Sequence, residues 1–303
     1  MTDEPAEFPD LPAFRGGATK RAVWRGIFRT SFLALGWLVV ITFVAAVGGH
    51  AAMVGLGRKA QLDRVVVAWQ AAHPEFRVGT YGTSSSGPYS ANSSFGVGPV
   101  TATGLGPTSA VSFRVNLFGH LSTPPIPGNA ASRILAKLGK SEDVPGFRKT
   151  ELVEFKALPP LARVGAIIEF ASPLSEADFG AFRQTHDASA KVFSFADVIV
   201  NEANQYGVGV LGWQPFYDPN PKPGRESMLD GFRRWVHGLD DSDRDGLNDV
   251  GADLDQLRTA ARNSKVYGVI VNNVTADYLL KLFDDPKVML IHPYDIQYAV
   301  EGG

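Results

Sequence analysis

No cysteine occurs among the 303 residues. This excludes thiolate metal sites, cysteine nucleophiles and disulfides, so any domain outside a reducing compartment must rely on its core. Net charge is also scarce: 29 Lys and Arg stand against 31 Asp and Glu, for a formal charge of −2. Residues 1–29 take five of the basic and four of the acidic side chains, leaving 24 against 27 for the remainder. Such a balance lacks the electrostatic footprint of a nucleic-acid binder, and no direct nucleic-acid partner is expected. The six histidines, at positions 50, 73, 120, 186, 237 and 292, show no metal-ligand spacing. Gly-x-Ser-x-Gly, His-Glu-x-x-His and phosphate-loop patterns are missing too, so the sequence points away from an enzyme.

What the chain does have is one long uncharged run. Residues 30–57 read TSFLALGWLVVITFVAAVGGHAAMVGLG, with His50 as the one titratable side chain. At 1.5 Å rise per residue, about 20 apolar residues cross a hydrocarbon core of roughly 30 Å, so the run is long enough to span. It exceeds the 7–15 residues usual for the core of a cleaved signal. Arg15, Lys20, Arg21, Arg25 and Arg29 precede it, whereas Arg58, Lys59 and Arg64 follow with Asp63 among them. The positive-inside bias then puts the N-terminus in the cytoplasm and the C-terminal domain outside the cell membrane, with the lipid bilayer as first partner. The expected organisation is a cytoplasmic stub (1–29), a transmembrane helix (30–57), a membrane-proximal helix and β-rich region (58–150), and a C-terminal α+β domain (151–303).

In the stub, Glu7, Phe8, Leu11 and Phe14 interleave acids with apolar residues. Together with Lys20, Arg21 and Arg25 they are the candidate partner-binding residues. Beyond the run, Leu62, Val65, Val66 and Trp69 fall at helical spacing. Residues 77–110 turn to Gly, Ser and Thr with apolar residues between turns, consistent with short strands or with a serine-rich linker. Residues 130–138 suggest a short helix, followed by a linker ending near 146. The last half carries the clearest pattern. A strand at 164–170 precedes a helix opened by Ser175, and a strand at 266–272 precedes a helix capped by Thr275, with a strand at 288–292 after it. Strands are also expected at 191–200 and 208–213, and helices at 226–237 and 251–263. Two strand–helix units suggest a ferredoxin-like split βαβ domain, with helices on one face and a helical insertion.

Within that insertion lies Asp241-Ser242-Asp243-Arg244-Asp245-Gly246-Leu247-Asn248-Asp249. Calcium takes six to eight oxygens, and carboxylates at loop positions 1, 3 and 5, a glycine at 6, a carbonyl at 7 and a closing ligand at 9 suit it. Asp241, Asp243, Asp245, Leu247 and Asp249 fill those places. Position 12 is Ala252, with Asp253 one residue late. These six residues are the candidate ligands of a weakly held, structural Ca2+.

The membrane run, the following helix, Ala72-His73-Pro74-Glu75-Phe76-Arg77-Val78-Gly79-Thr80-Tyr81 and the Ser/Gly stretch together resemble the N-terminal half of bacterial membrane sigma factor regulators. The C-terminal half is similar to that family's partner domain through Ser172–Asp178, Gly212-Trp213 and residues 266–288. The resemblance implies a single-pass membrane protein of the anti-sigma type, whose external domain senses an envelope signal or partner. A sigma factor, or a second membrane protein, would be its cytoplasmic contact. Two departures stand: 29 residues are few for a folded sigma-binding domain, and they contain no His/Cys zinc site. The alternative reading is a calcium-stabilised extracellular binding module, anchored without signalling.

Overall fold

The computed structural model describes residues 16–123, 125, 128–138, 144–186, 197–201, 209–214 and 227–298. It mixes helices and antiparallel sheets, the expected α+β class. Helix α1 (Gly16–Gly55) carries the basic stretch and the apolar run as one unbroken element of 40 residues. Its part Lys20–Gly55 is long and apolar enough to cross a membrane, and the described residues leave its most apolar stretch almost wholly uncovered. Gly57 then takes φ +62, a left-handed conformation that favours glycine, and α2 (Arg58–Ala72) begins.

The stretch that also suited a linker is a sheet. Strands β1 (Phe76–Ser86), β2 (Ser90–Thr101), β3 (Gly104–Leu105), β4 (Ser109–Asn116) and β5 (Leu121–Ser122) pair antiparallel in the order β1-β2-β4-β5, with β3 on β2. Alternation decides its faces. Ala91, Phe95, Val97, Val111, Phe113 and Val115 are buried, while Ser94 and Ser112 meet through their hydroxyls at 2.7 Å on the other side. The buried face receives α2. The Trp69 ring meets Phe113 edge-on at 5.7 Å and lies 6.3 Å from Phe76.

Helix α3 (Ala130–Leu135) starts in a capping box made by Asn129 and Ser132. Helix α4 (Val144–Ala157), which begins where the expected linker ends and was not itself expected, packs on the C-terminal part of the chain. Then follow β6 (Arg163–Ser175), α5 (Glu176–His186), β7 (Asp197–Ile199), β8 (Gly212–Trp213) and α6 (Asp230–His237). A 3-10 turn (Asp241–Asp243), α7 (Arg244–Asp249), α8 (Leu254–Asn263), β9 (Lys265–Thr275), α9 (Ala276–Phe283) and β10 (Val288–Gln297) complete the order. The second sheet runs β10-β6-β9-β7-β8, every pair antiparallel. Both expected helix starts are present. The Asp178 N–H donates to Ser175 Oγ at 3.1 Å, and the Tyr278 N–H to Thr275 Oγ1 at 3.3 Å. Strands β7 and β8 are shorter than expected among the described residues, which do not include 191–196 or 208.

Helices do not keep to one face of this sheet, as the sequence suggested. Val164, Ala166 and Ile168 of β6 join the core formed with α4, α5 and α9. Ile167, Ile270 and Tyr294 look the other way, onto Ala131 and Leu135 of α3 and Val100 of β2. Being covered twice, β6 is a nearly continuous buried run rather than an alternating one. The tip of the β2–β3 hairpin is stitched to the second sheet: the Ala102 N–H donates to Asp295 Oδ2, and the Asn273 N–H to the Ala102 carbonyl, both at 2.6 Å. Helix α2 touches β1, β2, β4, β8 and α7, so one apolar core runs through both sheets.

Candidate functional site

Of the predicted partner residues, Glu7, Phe8, Leu11 and Phe14 lie outside the described residues. Lys20, Arg21 and Arg25 stand exposed on the first turns of α1, so the basic stretch is a helical continuation of the apolar run. At the other end, α1 is built into the folded part. Met53 is buried in the core, and Gly49 meets the β1–β2 turn so closely that a Cβ there would collide with the Pro88 carbonyl oxygen.

The predicted calcium segment forms the 3-10 turn and α7. Asp243 is buried; its Oδ1 accepts from Arg64 Nε at 2.9 Å and its Oδ2 from the Asp240 N–H at 3.1 Å. Asp241 accepts from Arg258 at 3.1 Å. Asp245 and Asp249 are exposed on α7, and Asp253 caps α8 by accepting from the Gln256 N–H at 2.8 Å. The Leu247 carbonyl accepts from the N–H groups of Val250 and Ala252, and its side chain is fully buried. Gly246 has a reason of its own here: a Cβ would lie 3.1 Å from Val65 Cγ2, so glycine lets α7 approach α2. Thus α2 supplies both Arg64 and the surface against which the segment packs. Among the described residues no three His, Asp or Glu side chains converge as a metal-holding group.

Two arrangements escape sequence reasoning. First, His292 on β10 sits between Glu151 of α4 and Glu169 of β6, with Nδ1 3.2 Å from Glu151 Oε1 and Nε2 3.1 Å from Glu169 Oε2. Burial disfavours the charged ring. The two carboxylates outweigh it and raise the pKa to about 9. Both ring nitrogens face acceptors, so the ring is an imidazolium donating on both sides. Glu151 also accepts from the Ile291 N–H at 3.2 Å, so the cluster ties α4 to the sheet. No local pattern announces a triad assembled from positions 151, 169 and 292.

Second, a shallow groove of about 810 Å³ runs between α6 and α8, lined by Arg233, Val236, His237, Leu239, Arg258 and Arg262 among others. Arg233 bonds Glu176 at 3.1 Å and also pairs with Asp230, and Arg258 bonds Asp241. Arg262 bonds the Thr259 hydroxyl at 3.1 Å. Arg244, at 2.8 Å, holds Asp255 below the ordinary carboxylate range. The Asp255 carboxylate shares the lining, and Arg233 and Arg258 are already paired with acidic side chains, so the groove is a surface of mixed charge over an apolar floor. The spacing of Arg258 and Arg262, one helical turn apart, was the available sequence signal. No family model, curated protein or solved structure matches the chain.

Proposed function

We propose that the chain is a non-enzymatic, single-pass membrane regulator of the anti-sigma type, with its N-terminus in the cytoplasm and its folded part outside. The observation that carries this reading is the continuity of α1. One helix runs from Lys20, Arg21 and Arg25 through the apolar run to Gly49 and Met53, which pack into the folded part. A displacement of that part is therefore coupled to the basic end without an intervening loop. A ligand acts only through different affinity for two states of the folded part or its oligomer. Strand order β10-β6-β9-β7, with α5 and α9 each following a strand, supports a ferredoxin-like split βαβ fold for the C-terminal sheet, with α6–α8 inserted.

The test is affinity capture from membranes with the full chain and with a chain lacking residues 1–19. We expect a sigma factor to be retained by the first and lost from the second. Equal retention, or none by either, defeats the reading. Calcium enters in a restricted form: Asp243 has to leave Arg64 before it can ligate. Isothermal titration should then give tighter millimolar binding for Arg64→Gln than for the native chain, and heat from neither removes calcium from the account.

A further inference from the structure

We propose that the folded part rests on the bilayer through an aromatic foot around the outer end of α1, made by Tyr89, Phe118, Val54 and Leu56 with Arg58 beside them. The inference rests on the membrane anchoring of α1 proposed above. The uncharged run 30–57 contains 28 residues. As a helix that is about 42 Å, whereas a hydrocarbon core takes roughly 20 residues and about 30 Å. Counted from Thr30, the core is used up near Gly49, and the surplus lies at the outer end. Gly49 is the first residue of α1 that is buried, and a Cβ there would lie 3.0 Å from the Tyr89 ring as well as against Pro88. The β1–β2 turn is therefore level with the boundary between hydrocarbon and headgroups.

The β4–β5 turn is held at the same place. The Leu117 N–H donates to the Tyr89 carbonyl at 2.9 Å, and Arg58 Nε donates to the Leu117 carbonyl at 3.2 Å. The Phe118 N–H donates to Asn116 Oδ1 at 2.9 Å, so its backbone is fixed while its ring points away from the core. Phe118 is 81% exposed and Tyr89 50%. Val54 and Leu56 are 69% and 56% exposed and continue the uncovered apolar surface of α1. That continuity selects lipid over a second copy of the chain as the occupant. Tyrosine favours the membrane–water interface and the Phe118 ring the apolar region beneath it, while Arg58, bonded to Leu117 and at 2.8 Å to Gln61 Oε1, holds the β4–β5 turn beside them.

Freedom from cysteine makes the test direct. Single-cysteine variants Phe118→Cys, Leu56→Cys, Val39→Cys and Val153→Cys of the full chain are labelled with an environment-sensitive fluorophore. They are then reconstituted in phosphatidylcholine–phosphatidylglycerol vesicles carrying spin-labelled lipid. Expected is loss of fluorescence at 118 and 56 with the spin label near the headgroup, at 39 with the label deep in the chain region, and at 153 with neither. Quenching at 39 without quenching at 118 and 56 overturns the foot and leaves the anchor standing. No quenching at 39 overturns the anchor, and the foot with it. Blue-shifted emission at 118 that no labelled lipid quenches means that protein covers that position, and also overturns the proposal.

Discussion

The two sheets bury their residues by different rules. The first, β1-β2-β4-β5, presents one face to α2 and leaves the other to Ser94 and Ser112. The second is covered on both sides, so Ile167 and Ile168, adjacent on β6, are both fully buried in different parts of the interior. A half-covered sheet can be rich in Gly and Ser because only alternate positions have to be apolar. A doubly covered one leaves no position free. Joining them is α2, whose Trp69 is 1% exposed between β4 and the C-terminal part.

The harshest way to break this contrast is to attack what the sheets share. Trp69→Ala should cost about 4 kcal/mol, since large aromatic-to-alanine changes in a core cost roughly 3–5. Hydrogen exchange should then rise together in β2 and β9; a rise confined to β1, β2 and β4 would separate the sheets into independent cores. Next, Ile167→Ala in the doubly covered strand should cost about 3 kcal/mol in a denaturant titration. A loss below about 1 would mean that α3 does not seal its face.

An alkaline pH dependence is expected of the second sheet. His292 sits near 9 when folded against an ordinary 6.5, so its contribution is complete below about 6.5 and is lost as pH rises toward 9. Up to about 3 kcal/mol should disappear across that window. The loss should be absent from His292→Gln; an equal slope in that variant assigns it to other groups. The smallest effect is expected on the open face of the first sheet, where Ser94→Ala should shift stability by no more than about 0.5 kcal/mol. A larger loss would show that this face is covered by something.

Legibility followed the same division. The elements announced by short-range chemistry were readable: the capped helices α5 and α9, the strands before them, and the uncharged run. Helix α4 was not, because its pattern is blurred. Phe147 and Val153 are exposed on it, while Glu151 is buried against His292. A polar residue on the inward face, matched by a partner far along the chain, leaves no apolar period to find. The Asp241–Asp249 segment carries more than its spacing tells. Its aspartates and glycine suit a cation loop by spacing, and the fold adds contacts that spacing does not announce: Arg64 pairs with Asp243, and Gly246 lies against Val65. The α6–α8 groove needed Arg233 brought beside Arg258 and Arg262, which no single helix spells out.

One consequence follows from the two residues, Leu56 and Gly57, that separate α1 from α2. Anchored domains are commonly shed by proteases that cut a slack tether between anchor and cargo. Here two residues stand in place of such a tether: Gly49 and Met53 of the last turns of α1 pack on the folded part, and α2 is its centre. With α1 in the bilayer as proposed, cleavage just beyond it would carry Met53 away from its packing or leave it stranded. In the proposed membrane arrangement, release and unfolding would therefore begin as one event.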